Sequence, residues 1–101
     1  MATTKEYRDF ILDELSILGN ITCKPMMGEY LLYYNGLLFG GIYDDHLLVK
    51  KARSNEKYHL PEVIPYKNAK PMYFIENVDN REMLKDIILV TYQGLLTNKN
   101  K

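Results

Sequence analysis

The chain has 101 residues, 47% hydrophobic and 26% charged, with 13 basic residues balancing 13 acidic ones at a formal net charge of zero. That length supports one domain with one core, and that composition excludes a disordered chain. The neutral balance counts against a dedicated duplex-DNA binder, which needs cationic excess to neutralise phosphates.

The single cysteine, Cys23, excludes an internal disulfide framework and lacks the partners of a zinc site, so no metal or cofactor is expected. Met1 to Glu6 lack the basic-then-apolar pattern of a signal peptide, and no apolar run approaches the roughly 20 residues that span a bilayer. One domain over 1–101, cytoplasmic and away from membranes, is the expectation, with residues 1–3 and 98–101 as frayed ends.

Thr3 followed by Glu6 fits a capping box, and Tyr7, Phe10, Ile11, Leu15 and Leu18 recur at helical spacing. This predicts a first helix, ended by Gly19-Asn20. Ile21–Lys24 reads as a short strand, and Pro25 limits its pairing. Met26 to Lys50 then reads as a three-stranded meander. An Asn35-Gly36 turn, which accepts the positive φ of a type I′ hairpin, joins Glu29–Tyr34 to Leu37–Tyr43, and Asp44-Asp45 leads into His46–Lys51. Gly40 and Gly41 inside a strand predict a bulge or the close approach of a helix.

Residues 52–60 read as a short helix or turn, and Val63–Lys67 and Met72–Asn77 as strands around Asn68-Ala69. Asp79 and Glu82 form a second capping box before a closing helix whose apolar face holds Met83, Leu84, Ile87, Ile88, Thr91, Leu95 and Leu96. The elements predict an α+β fold, a mainly antiparallel sheet of about five strands with the N- and C-terminal helices packed on it.

With two-residue turns, Tyr33 should oppose Leu38, Leu31 should oppose Gly40, and Ile42 should oppose Leu47. One face then collects Leu31, Tyr33, Leu38, Ile42, Leu47 and Val49 for packing under the helices. The other collects Tyr30, Leu32, Tyr34, Leu37, Phe39, Tyr43, His46, Leu48 and Lys50, and is too apolar for a solvent face. Rings with one polar end suit protein contacts, so Tyr30, Tyr34, Phe39 and Tyr43 are expected to meet a protein partner, most simply in a homodimer. The competing expectation is that a helix or the 52–71 segment covers them.

Chemistry has few candidates. Cys23, His46 and His59 are the only plausible members of a nucleophilic site, and each has a plainer reading: a small core residue, a solvated turn residue and a histidine without spaced partners. Asp44 beside Asp45 is explained by turn propensity. An enzyme is therefore the least favoured class. Lys50, Lys51, Arg53 and Lys57, with Tyr58 nearby, form one basic run that would suit single-stranded nucleic acid or a ligand. Such runs are more often solvated edges, so direct nucleic-acid binding is not the first expectation.

The run Met26-Met27-Gly28-Glu29-Tyr30-Leu31-Leu32-Tyr33, then Gly36-Leu37-Leu38-Phe39 and Leu47-Leu48-Val49-Lys50, resembles the TfoX N-terminal domain family. Tyr66 to Lys70 and Met72-Tyr73-Phe74 resemble its second hairpin, and Asp79–Leu96 its closing helix. Met26, Gly28, Tyr30, Gly36, Phe39 and Lys50 are the matching motif positions. Pro25 stands where the family usually has arginine, Met27 where it has phenylalanine, and Glu29 and Leu31 where it has glycines. The resemblance implies a small stand-alone α+β domain without catalytic residues, a regulatory or protein-interaction module of the kind linked to natural competence and transcriptional coactivation.

Overall fold

The computed structural model describes Thr3 to Lys99, with side chains described to Thr97. Met1, Ala2, Asn100 and Lys101, part of the expected frayed ends, lie outside the described residues. The chain order is helix α1 (Lys5–Leu15), a 3-10 turn (Ser16–Leu18), strands β1 (Ile21–Met26), β2 (Glu29–Tyr34), β3 (Leu37–Tyr43) and β4 (His46–Val49), and a 3-10 helix (Arg53–Tyr58). Strands β5 (Glu62–Val63) and β6 (Met72–Ile75) and helix α2 (Arg81–Lys99) complete it. All strand pairs are antiparallel in a six-stranded sheet of order β1-β2-β3-β4-β6-β5. The expected α+β architecture holds, with one strand more than anticipated.

Tight turns set this meander. Asn35 and Gly36 take φ of 50° and 81°, Asp44 and Asp45 take 51° and 57°, and Met27 and Gly28 take 51° and 84°. Successive left-handed residues match the twist of the flanking strands, which is why two-residue loops suffice. The Met27-Gly28 turn adds β1 as a fourth hairpin strand. Pro25 sits within β1, opposite Tyr30, and is tolerated because β1 is an edge strand.

Both helix starts fall one residue later than the capping boxes predict. Thr4, not Thr3, accepts from the Tyr7 amide at 3.1 Å. Thr3 instead donates its hydroxyl to Glu29 Oε1 at 2.7 Å and accepts from the Asp45 amide at 3.2 Å, so it is a buried staple and not a frayed end. At α2 the Asn80 carboxamide, not Asp79, accepts from the Met83 amide at 3.1 Å. The helix runs on to Lys99, past the point where a frayed tail was expected.

The second hairpin is shorter than its sequence pattern. Pro65 and a turn closed by Ala69 N–H to Tyr66 O remove Ile64–Lys67 from the sheet, leaving only Glu62 and Val63 to pair with Tyr73 and Met72. Residues 64–71 become a loop.

Both helices pack on one side of the sheet. The core joins Ile11 and Leu15 of α1, Leu84, Ile87 and Ile88 of α2, and Leu32, Phe39, Ile42, Leu47, Val49, Tyr73 and Ile75 of the strands. Arg81 ties the helices by reaching Glu14 at 3.1 Å and Asp13 at 2.9 Å. Phe10 and Leu96, placed in the apolar stripes by spacing, are 41% and 38% exposed.

Candidate functional site

Which side chains share a face depends on one residue in β3. Tyr33 opposes Leu38 and Ile42 opposes Leu47 as expected, but Leu31 opposes Gly41, not Gly40, because the register shifts between Leu32 and Tyr33. Phe39 is the extra residue, a β-bulge that puts two residues of β3 against Leu32. A one-residue slip exchanges the faces beyond it. Leu38 and Ile42, expected together, therefore point to opposite sides.

The four-ring contact face is thereby corrected. Phe39 is fully buried in the core, and Tyr30 and Tyr34 pack against that core on the helix side. Tyr34 meets Tyr92 of α2 edge-on at 4.8 Å, and Arg8 of α1 lies 5.1 Å from the Tyr30 ring centre. Only Tyr43 faces the other way, where the Tyr66 ring lies 6.2 Å from it. The helices cover three rings and the 64–71 loop reaches the fourth.

The far side of the sheet holds a different feature. Leu31, Leu38 and Tyr43 of the sheet, Pro65, Tyr66 and Ala69 of the 64–71 loop, and Met72 of β6 line an open cavity of about 680 Å³. Gly40 belongs to its lining. A side chain there would drive its Cβ into Leu48 O and to 2.9 Å from Val49 Cα, so only glycine lets β3 and β4 lie this close. The predicted bulge is present, and it is strand backbone, not a helix, that approaches.

Three lysines, Lys50, Lys51 and Lys70, also line the cavity, as do Met26, Pro71 and Leu95 of α2, and no acidic residue belongs to it. Lys51 Nζ donates to Glu62 Oε1 at 3.0 Å, a bond that holds its ammonium above the ordinary value. Among the described residues no ion pair engages Lys50 or Lys70. The predicted basic run is split. Lys50 and Lys51 reach the cavity, while Arg53 and Lys57 stand on the 3-10 helix, Lys57 over the Tyr58 ring at 5.6 Å.

Asn55, which sequence reasoning passed over, fixes the approach to this lysine pair. It is fully buried, accepts from the Ala52 amide at 3.0 Å, and donates to Lys50 O and Thr91 Oγ1, each at 2.9 Å. Nothing in an Arg-Ser-Asn-Glu stretch distinguishes this asparagine from a solvated turn residue.

The nucleophile candidates stay apart. Cys23 is half-buried in a smaller hollow of about 320 Å³ with Arg8, Asp9, Leu12, Pro25 and Tyr30. Burial pushes its thiol up, Arg8 pulls it down and Asp9 raises it again. A raised thiol is the opposite of an activated one. His46 places Nδ1 2.6 Å from Asp44 O and sets its ring 4.9 Å from that of Phe74. His59 is exposed, in left-handed conformation at the end of the 3-10 helix. Among the described residues no group of three or more His, Cys, Asp or Glu could hold a metal, and no helix is long and apolar enough to cross a membrane.

The motif positions divide between structure and site. Gly28 and Gly36 serve turns, Tyr30 and Phe39 the helix side, and Met26 and Lys50 line the cavity. Compared with known proteins, residues 13–86 match the model of the TfoX N-terminal domain, an interval holding all six strands. A relative in Spirochaeta aurantia, described as an uncharacterized 12.7 kDa protein in the trpE 5′ region, is 29% identical over 98 residues. The alignment covers 94% of this chain and 85% of the relative.

Proposed function

The chain belongs to the TfoX N-terminal domain family, and from that membership we propose that it is a non-enzymatic regulatory domain that works by binding. The observation that carries this reading is the cavity between the sheet and the 64–71 loop. Concave, mainly apolar sites with a few convergent polar groups are the usual form of small-molecule sites, and about 300–1,000 Å³ is their usual size. The loop that lines one side of the cavity also presents Ile64 and Tyr66 to solvent, 56% and 57% exposed. Occupancy beneath the loop would thus alter the surface offered to a partner protein. The resemblance to regulators of competence supports a transcriptional co-regulatory role for that partnership.

The test is genetic. A strain lacking the protein is complemented either by the natural chain or by Ala69→Phe, which fills the cavity from an exposed loop. Transcript profiles should change on deletion, return with the natural chain, and stay changed with Ala69→Phe. An unchanged profile on deletion refutes the regulatory role. Full restoration by a folded Ala69→Phe chain refutes the cavity's part in it.

A further inference from the structure

We infer that the cavity takes an amphipathic organic anion, an apolar body carrying a carboxylate or phosphate head. The inference rests on the binding role proposed above and names the chemistry of the occupant.

The lining separates into two kinds of surface. Leu31, Leu38, Tyr43, Pro65 and Met72 offer an apolar floor and roof, which gain from covering by hydrocarbon or ring surface and gain nothing from a bare ion. Lys50, Lys51 and Lys70 line the cavity from the end of β4 and from the loop, with Lys51 Nζ turned to Glu62 and 5.7 Å from the Tyr73 ring centre. In a chain of zero net charge, three cations without a lining acid are a local concentration. Glu62 answers one of them, leaving Lys50 and Lys70 for an anion.

Each other class fits one half only. A neutral apolar molecule would cover the floor but offer no partner to the ammoniums of the exposed lysines. A cation is repelled. A nucleic-acid strand needs a cationic track along its backbone, and Arg53 and Lys57 do not line this concavity. One anionic head at the lysines with an apolar body beneath the loop satisfies both halves. Lysine ammoniums are point charges without the planar fork of arginine, so they accept carboxylate and phosphate alike.

Titration of the purified chain with decanoate, decanol and inorganic phosphate, followed by assigned amide resonances, tests this. Decanoate should shift Leu31, Leu38, Tyr66, Ala69 and Met72, saturably. Decanol should bind at least roughly ten-fold more weakly, and Lys50→Gln with Lys70→Gln should weaken decanoate by a similar factor, the loss expected for contacts to a charged group. Ala69→Phe should abolish the shifts. Decanol binding as tightly as decanoate, or decanoate binding unaffected by the lysine changes, overturns the anionic assignment and leaves the cavity as a binding site. Phosphate alone reproducing the whole pattern overturns the amphipathic one. Absence of shifts at these residues with all three probes overturns both the inference and the cavity-based reading of function.

Discussion

Replacing Asn55 separates shape from hydrogen bonding at the joint between the 3-10 helix and α2. The side chain is fully buried and makes three bonds: one accepted from Ala52, and two donated to Lys50 O and Thr91 Oγ1. Asn55→Ala leaves the Ala52 amide and the Lys50 carbonyl without this partner. At about 1–3 kcal/mol for each orphaned group, the loss is roughly 2–6 kcal/mol. A domain of this size is stable by only about 5–15 kcal/mol, so Tm should fall by at least about 8 °C. Asn55→Asp keeps the shape and the Ala52 bond but has no proton for Lys50 O. Thr91 cannot reverse its bond cheaply, because its hydroxyl already donates to Ile87 O at 2.7 Å. The carboxylate would also be buried as a charge, which raises its folded-state pKa. Stability of this variant should therefore be greater below the ordinary carboxylate range and fall as pH rises through the raised value. Urea and thermal melts of the three proteins at pH 4 and pH 7 read all of this. An Asn55→Asp chain within about 1 kcal/mol of the parent at pH 7 would refute the reasoning, since volume alone would then explain the site.

Gly40→Ala sets a Cβ against backbone atoms of β4 that cannot rotate away, so it should cost at least about 3 kcal/mol; a loss below about 1 kcal/mol in the same melts would deny the close approach. Phe39→Ala, from a fully buried position, should cost about 3–5 kcal/mol, whereas Tyr66→Ala, 57% exposed, should cost little, and the reverse order would contradict the assigned faces. Burial, reinforced by Asp45 for Tyr7 and by Tyr66, Glu29 and Tyr33 for Tyr43, holds both hydroxyls above their ordinary value of 10.0. The folded chain keeps protons that the unfolded chain gives up, so stability should decline as pH climbs past 10.0 toward the raised values. Absorbance titration and melts of Tyr7→Phe and Tyr43→Phe, which remove that slope, check it.

Legibility in the sequence followed the range of the interaction. Turns whose chemistry is local, Asn35-Gly36 and Asp44-Asp45, stand where their residues place them, and Met27-Gly28 was missed because methionine is an unusual left-handed residue. Helices were legible from their spacing, but each start moved by one residue. At α1, Thr3 had a better partner far away, since Glu29 and the Asp45 amide claim its hydroxyl. Asn55 and Lys70 were not legible as site residues, because their roles depend on Thr91 and on the fold of a proline-bounded loop.

The candidate site was misread for a single physical cause. Alternation along β2 and β3 carries face information only while the register is unbroken, and a bulge breaks it without altering composition. The glycines were the visible signal. Gly40 is opposite Leu32 beside the extra residue, Phe39, and its missing side chain lets β4 close onto β3. The same insertion sends Phe39 into the core and turns Leu31, Tyr33 and Leu38 away from the helices. Two of those displaced residues, Leu31 and Leu38, become the floor of the cavity that the loop from Ile64 to Pro71 lines from its other side. Core and cavity are thus two consequences of one inserted residue. A chain that lost the bulge could not keep its hydrophobic core in place and retain the apolar floor on the far side.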